Sequence, residues 1–257
     1  MADTHQIRDH ATEFFADAEA IHLEDTLWWW VGRRTILRNY LDMVKHESSP
    51  CAILEVGCGS GSDLSLLAEY GKVTAVEQSE ILSERARSRN VAQEVLVGNV
   101  FDLGILPGFD LTCLFDVLEH IEDDDGFLNK LTQCVKPGHL LLLSVPACQF
   151  LYSQHDALLH HYRRYSKRGL ENLLQRNGYT ILRGSYFLFF LFPLIALSRL
   201  KEKAMAMLGI KQAAVSLGVV PKWANWLLTL VLKLEAVISQ RASFPIGVWL
   251  IVLARKN

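Results

Sequence analysis

The run Ile53-Leu-Glu-Val-Gly-Cys-Gly-Ser-Gly-Ser-Asp63 constrains the fold of this chain more than any other stretch. An apolar run followed by glycines at 57, 59 and 61 predicts a buried strand that turns tightly and enters a helix. Such a turn leaves bare backbone for a ligand, and the amides that open the following helix point toward the same space. A dinucleotide fingerprint reads GxGxxG, which would put its third glycine where Ser62 stands; here the pattern is GxGxG, with Glu55 two residues before it. Nicotinamide dinucleotides are therefore disfavoured.

The flanking sequence alternates short apolar runs with helical stretches. Strands are expected over 52–56, 72–76, 94–97, 109–115, 139–145, 179–187 and 247–254, with helices over 62–70, 80–90, 123–135 and 166–177 between them. Continuous apolar strands separated by helices mean a parallel sheet covered on both faces. Lys136-Pro137-Gly138 stops one helix before the next strand. Glu77 ends the second strand about twenty residues after Gly57, where a carboxylate can accept from both hydroxyls of a ribose.

The pattern E-x-G-x-G-x-G resembles the first motif of class I S-adenosylmethionine-dependent methyltransferases, and the motifs after it come in that family's order. The resemblance implies that Glu55 organises the turn and the methionyl ammonium. The backbone of Gly57, Cys58, Gly59 and Gly61 would form the cofactor floor, and Glu77 with Gln78 would take the ribose. Val97-Gly98-Asn99-Val100 stands where the family has Gly-Asp-Ala, so Asn99 and Val100 fall at the adenine, with an amide in place of the acid. Asp116-Val-Leu-Glu-His120 matches a sequence of many small-molecule methyltransferases; it implies Asp116 at the cofactor and His120 as a general base or a helix cap. The fold implied is α/β: a Rossmann-like doubly wound, mostly parallel seven-stranded sheet with an antiparallel last strand, plus N-terminal helices and a helical insertion before that strand.

Three further stretches bear on the acceptor. The loop after the fifth strand gathers His155, Asp156, His160, His161, Tyr162, Arg163 and Arg164. His155 or His160 is expected to deprotonate the acceptor, while Tyr162, Arg163 and Arg164 bind its anionic group. Without a matching second pair of ligands in the chain, this cluster predicts no metal. Residues 1–49 read as an N-terminal helical lid, with Phe14 and Phe15 at helical spacing and a second helix from Leu27 to Lys45. Trp28, Trp29 and Trp30 cannot all share one helix face, so at least one should face a pocket, a neighbouring element or a lipid surface, and the family resemblance implies one of them, taken as Trp29, at the acceptor pocket. Within the methyltransferase domain, 50–257, residues 188–244 form an apolar insertion. The stretch from Gly184 to Ser198 is charge-free yet shorter than the roughly 20 residues of a membrane span. With Arg199, Lys201, Lys203 and Lys211 as a rim, the insertion reads as a peripheral membrane patch, a greasy lid or a homodimer contact.

Bulk properties narrow the function. Half of the residues are hydrophobic, and 26 basic against 28 acidic residues give a net charge of −2, which excludes a general affinity for nucleic acid. Five scattered cysteines without a CxxC pair, and no apolar core near Met1, point to reduced thiols and a cytoplasmic protein, at the inner face of the membrane if the patch docks there. The expected activity is methyl transfer from S-adenosylmethionine to an O, N or C atom of a small, hydrophobic or lipid-linked acceptor. The alternatives are a non-catalytic cofactor-binding or membrane accessory protein and, behind it, a nicotinamide oxidoreductase.

Overall fold

The computed structural model describes residues 18–45, 51–208 and 220–257. Phe14, Phe15 and Lys211 lie outside them. Two helices, α1 (Ala18–Thr26) and α2 (Trp28–Lys45), precede the sheet. Then follow β1 (Cys51–Val56), α3 (Leu64–Leu67), β2 (Gly71–Glu77), α4 (Glu80–Ser88), β3 (Glu94–Val97), β4 (Leu111–Phe115), α5 (Asp124–Cys134) and β5 (Leu140–Pro146). The chain continues through α6 (Gln154–Leu158), α7 (Lys167–Arg176), β6 (Tyr179–Phe187), α8 (Phe192–Met207), α9 (Lys222–Ser239) and β7 (Trp249–Lys256).

The seven strands stand in the order β3-β2-β1-β4-β5-β7-β6. The neighbours from β3 to β5 pair in parallel, and β7 runs antiparallel to both β5 and β6. Consecutive strands on one side of β1 and on the other side of β4 wind in opposite directions, so a crevice opens beyond the carboxyl ends of β1 and β4. Period-two alternation divides the core between two faces. Leu140 and Leu142 of β5 join Ile36, Leu37, Tyr40 and Leu41 of α2, whereas Leu141 and Leu143 join Leu128 and Leu131 of α5 and Leu170 and Leu174 of α7. Both faces are covered, which is why β5 reads as an uninterrupted apolar run.

The insertion helix α9 is half core. Its Leu232, Glu235, Ala236 and Ser239 are buried against α2, and Leu232 sits where a Cβ on Gly32 would approach its Cδ1 to 2.1 Å. Asn225 accepts from the Trp28 amide at 2.8 Å and donates to the Thr26 carbonyl at 3.0 Å, capping the α1–α2 junction from another part of the chain. All five cysteines are free.

Glu235 is the anomaly in this interface. Its carboxyl accepts from the amides of Phe189 and Phe190 in the turn after β6, but burial pushes its pKa up to about 7. The folded state thus holds a proton that the unfolded chain releases, so stability is expected to fall as pH rises from about 4.5 to 7 and to level off above it. Glu235→Gln should remove that slope and raise stability at pH 8 by roughly 3 kcal/mol, read from denaturant midpoints across pH.

Candidate active site

The glycine turn is built as bare backbone, though its three glycines are not equivalent. Gly57, Gly59 and Gly61 have φ of 72°, 56° and 80°. A Cβ on Gly59 would meet nothing within 4 Å, so that residue borders open space, whereas one on Gly61 would lie 2.6 Å from Leu64 Cδ1 and 3.1 Å from Ala86. Gly61 therefore permits close packing of the turn on α4, and it does not line the cavity. Cys58 also turns inward: it is buried, burial pushes its thiol pKa up, and it does not line the cavity.

Glu77 is fixed before any ligand arrives. Its Oε2 accepts from the Gly59 amide and its Oε1 from the Ser79 amide, both at 2.9 Å, and its side chain borders the cavity. Gln78, Asn99 and Val100 continue the same wall; the Asn99 side chain caps the next turn by accepting from the Phe101 amide at 3.0 Å. Glu55 is not on this wall. It is buried behind the turn, its Oε2 lacks a hydrogen-bond partner, and desolvation followed by the charge of Asp63 raises its pKa well above the carboxylate range.

What faces Glu55 is Arg33 of α2. This buried guanidinium bonds through one nitrogen to Asp63 and through the other to Asp116, joining the helix before the sheet to the ends of two motifs. Asp116, at φ 55°, also accepts from Trp249 Nε1 at 2.8 Å and from Ser144 Oγ at 3.2 Å. A non-glycine residue in the left-handed region with three anchors is held there by its surroundings, at the mouth of the crevice. A second buried cluster pins α1 over the turn. Glu24 accepts from Ser60 Oγ at 2.6 Å and pairs with Arg89 at 2.6 Å, and Arg89 Nε also donates to the Ser60 carbonyl at 2.7 Å.

Trp28, Trp29 and Trp30 all border the cavity. The Trp29 ring lies 6.0 Å from Phe187 in a stacked arrangement and 4.5 Å from Trp249. In the loop after β5 the structure redistributes the expected roles. His120 and His155 line the cavity; His160, Tyr162 and Arg163 do not. His160 sits at φ 56°, which reverses the chain so that His160 is exposed and His161 is buried. Tyr162 is exposed, and Arg163 pairs with Asp124 at 3.0 Å. Arg164 lines the cavity but is buried, with Nε donating to Asp156 at 2.7 Å. Asp156 also accepts from the Ser153 amide at 2.9 Å and contacts His161 Nδ1 at 3.0 Å, and the hydrogen bonds from His161 and Arg164 carry its pKa well below the usual range against the cost of burial. Arg199, expected on an outer rim, instead lines the cavity and pairs with Glu202 at 2.8 Å.

These walls enclose one cavity of about 1090 Å³, running from Gly57, Gly59 and Glu77 past Asp116 and the tryptophans to Ile195 and Arg199 of α8. Residues 29–183, which hold most of it, match the family described as a methyltransferase domain. The chain belongs to the class I S-adenosylmethionine-dependent methyltransferases. A probable S-adenosylmethionine-dependent methyltransferase of Mycolicibacterium smegmatis is 25% identical over 157 residues, covering 60% of this chain and 60% of its own. The mitochondrial ubiquinone biosynthesis O-methyltransferase of Schizosaccharomyces pombe is 31% identical over 157 residues, covering 54% and 57%. The chain thus spans less than two thirds of the length of these curated relatives. Among solved structures, an S-adenosylmethionine-dependent methyltransferase from Thermotoga maritima superposes with a TM-score of 0.55 at 18% identity, over 96% of this chain and 100% of its own.

The family's cofactor, S-adenosylmethionine, suits what the site offers. The open space at Gly59 lets a flat ligand approach the backbone, and Glu77 is anchored by amides with its carboxylate at the cavity edge. The residues that sequence reasoning missed are Arg33, Glu119, His161 and Trp249. Arg33 carried a signal: it lies one turn from Trp29, Ile36 and Leu37 on the buried stripe of α2, and an arginine in such a stripe requires carboxylate partners.

Proposed function

We propose that this chain transfers the methyl group of S-adenosylmethionine to a small acceptor with an apolar body and a polar head, of the lipid-linked kind. The observation that carries the reading is the continuity of the cavity: its volume of about 1090 Å³ exceeds the ~300–1,000 Å³ of a usual single-ligand site, and its far end is walled by Leu159, Leu188, Ile195 and tryptophans. The cofactor supplies an electrophilic methyl on sulfur. The protein's share is to align, to exclude water and to take a proton. Glu77 would hold the ribose, Asn99 and Val100 the adenine end, and the anchored Asp116 the edge where donor and acceptor meet. The fission-yeast relative is named an O-methyltransferase of ubiquinone biosynthesis, so phenolic and hydroxylic acceptors are the first to assay.

His155 is assigned the base. It borders the cavity, and burial, reinforced by Arg199, lowers its pKa, so the imidazole is neutral and able to accept a proton at pH 7. With an acceptor of this class, kcat should therefore be flat above neutrality and fall only below the ordinary histidine range. His155→Ala should reduce kcat by about 10²–10⁴ and abolish that acid limb. Unchanged rate and profile would remove His155 from the chemistry. Cofactor binding without turnover on any acceptor would favour the accessory-protein alternative.

The outer face of the insertion supports docking on a lipid surface. Leu194, Leu197 and Leu200 of α8 and Trp223, Trp226, Leu230 and Leu234 of α9 are exposed, with Lys201, Lys222 and Lys233 among them, and no helix of the described residues is long and apolar enough to cross a membrane. Trp223→Ser with Trp226→Ser should lower binding to anionic phospholipid vesicles by about tenfold or more in a flotation assay. Equal flotation of the variant would shift the reading to a dimer contact.

A further inference from the structure

With His155 as the base, three other cavity-lining side chains take no part in the proton transfer, namely Glu119, His120 and His161. Glu119 follows β4 in the turn Leu118–His120 and is 0% exposed, and neither of its carboxylate oxygens has a hydrogen-bond partner. A carboxylate taken out of water with nothing to bind it is costly unless a proton or a metal cation joins it. Two imidazoles stand beside it. The rings of His120 and His161 lie 4.7 Å apart at an interplanar angle of 84°. One ligand-capable atom from each of Glu119, His120 and His161 lies within 4.8 Å of the others.

The surroundings match how metal-binding histidines are held. Both oxygens of Asp156 accept hydrogen bonds, from Arg164 Nε and the Ser153 amide, so His161 Nδ1 donates to the same carboxylate across their 3.0 Å contact, which leaves Nε2 as the lone-pair atom. Arg164 and the Ser153 amide fix that carboxylate in turn, at 2.7 and 2.9 Å. The Tyr162 amide donates to the Glu119 carbonyl at 2.8 Å, which ties the two ligand-bearing segments together. The sequence offered the histidine loop no matching second pair of ligands; Glu119 and His120 stand some forty residues before His161, and the fold brings them to one wall.

We propose that Glu119, His120 and His161 bind a divalent first-row transition cation. Two imidazoles and one carboxylate suit zinc, cobalt or iron over magnesium, and three protein ligands leave a coordination position toward the cavity. That position would receive an acceptor oxygen and lower the pKa of its proton. The acceptor's part rests on the methyl-transfer reading above, whereas cation binding stands without it.

The test titrates the chelator-stripped full chain with Zn²⁺ by calorimetry and with Co²⁺ by its visible absorption, with Mg²⁺ alongside. Wild type should take one equivalent of Zn²⁺ with micromolar or tighter affinity and give an intense Co²⁺ spectrum, and Mg²⁺ should bind far more weakly. Glu119→Gln, nearly isosteric and without the buried charge, should weaken Zn²⁺ at least 30-fold while keeping the fold, and Asp156→Asn should weaken it about 10- to 100-fold. Failure to bind Zn²⁺ or Co²⁺, or equal binding by wild type and Glu119→Gln, would overturn the site. S-adenosylmethionine titrations on the same samples keep the two readings separate: Zn²⁺ binding with no cofactor binding would sink the methyl-transfer reading alone.

Discussion

Glu77→Ala is expected to weaken binding of S-adenosylmethionine and S-adenosylhomocysteine at least 100-fold, measured by calorimetric titration. In the proposed site the carboxylate would accept from two ribose hydroxyls, and hydrogen bonds to an ionised acceptor contribute about 1.5–3 kcal/mol each. A second loss adds to the first. The same oxygens accept from the amides of Gly59 and Ser79, so removing them frees the turn that the cofactor must lie against. Glu77→Gln separates the two effects. It keeps one acceptor oxygen but turns an NH₂ group toward an amide donor, and a drop of about tenfold or more is expected. Equal affinity of Glu77→Ala and wild type would refute the ribose assignment, and NAD in the same assay should give no heat.

Arg33→Ala carries the largest expected cost in stability, about 3–5 kcal/mol, or roughly 10 °C in melting temperature. Arg33 is 5% exposed and Asp63 is 3% exposed, and removing the guanidinium leaves Glu55, Asp63 and Asp116 facing one another without the ion pair that Asp63 and Asp116 share. Glu55 already has a raised pKa and would stay protonated over a wider range. Adding Asp63→Ala to Arg33→Ala should recover part of the loss, because neighbours that share an ion pair are not additive. Cofactor affinity should fall as well, since Asp116 loses one of its three anchors. A loss below 1 kcal/mol would mean that this cluster is hydrated and not a buried network.

The parts of this architecture that were legible in the sequence are those written locally. An apolar run that stops at alternating glycines specifies β1 and its turn, and β6 falls at Tyr179–Phe187 as its apolar pattern predicts. Glu77 was readable because a strand end and its spacing from Gly57 fix its place. Arg33 was not readable as a site residue, since its partners lie 30 and 83 residues away and only the sheet order brings them together. The histidine loop shows a different failure. His155, His160 and His161 are near neighbours in sequence, and a single left-handed residue at His160 decides which of them turns inward. Asn99 and Gln78 fell where the motifs put them, on the cavity wall, whereas Glu55 matched its motif and yet lies behind the turn. Motif position fixes the backbone of such a residue, while the side chain follows the charges packed around it. The apolar insertion was visible as composition, but its division into a buried and an exposed face depends on α2.

The position of β7 also sets an order in time. It lies between β5 and β6, with Leu140 paired to Arg255 and Phe187 to Trp249, so β6 has no strand partner and β5, paired on one side with β4, keeps its other edge open until it arrives. While α8 and α9 are being synthesised, β5 and β6 must keep open edges, and long-range pairing of this kind is slow. The nascent chain can form the glycine turn and present Glu77 well before that point. It cannot anchor Asp116 on Trp249 Nε1 or complete the aromatic wall, because both wait for the same strand. The third anchor of Asp116 and the last ring of the aromatic wall are therefore set only when β7 takes the slot between β5 and β6.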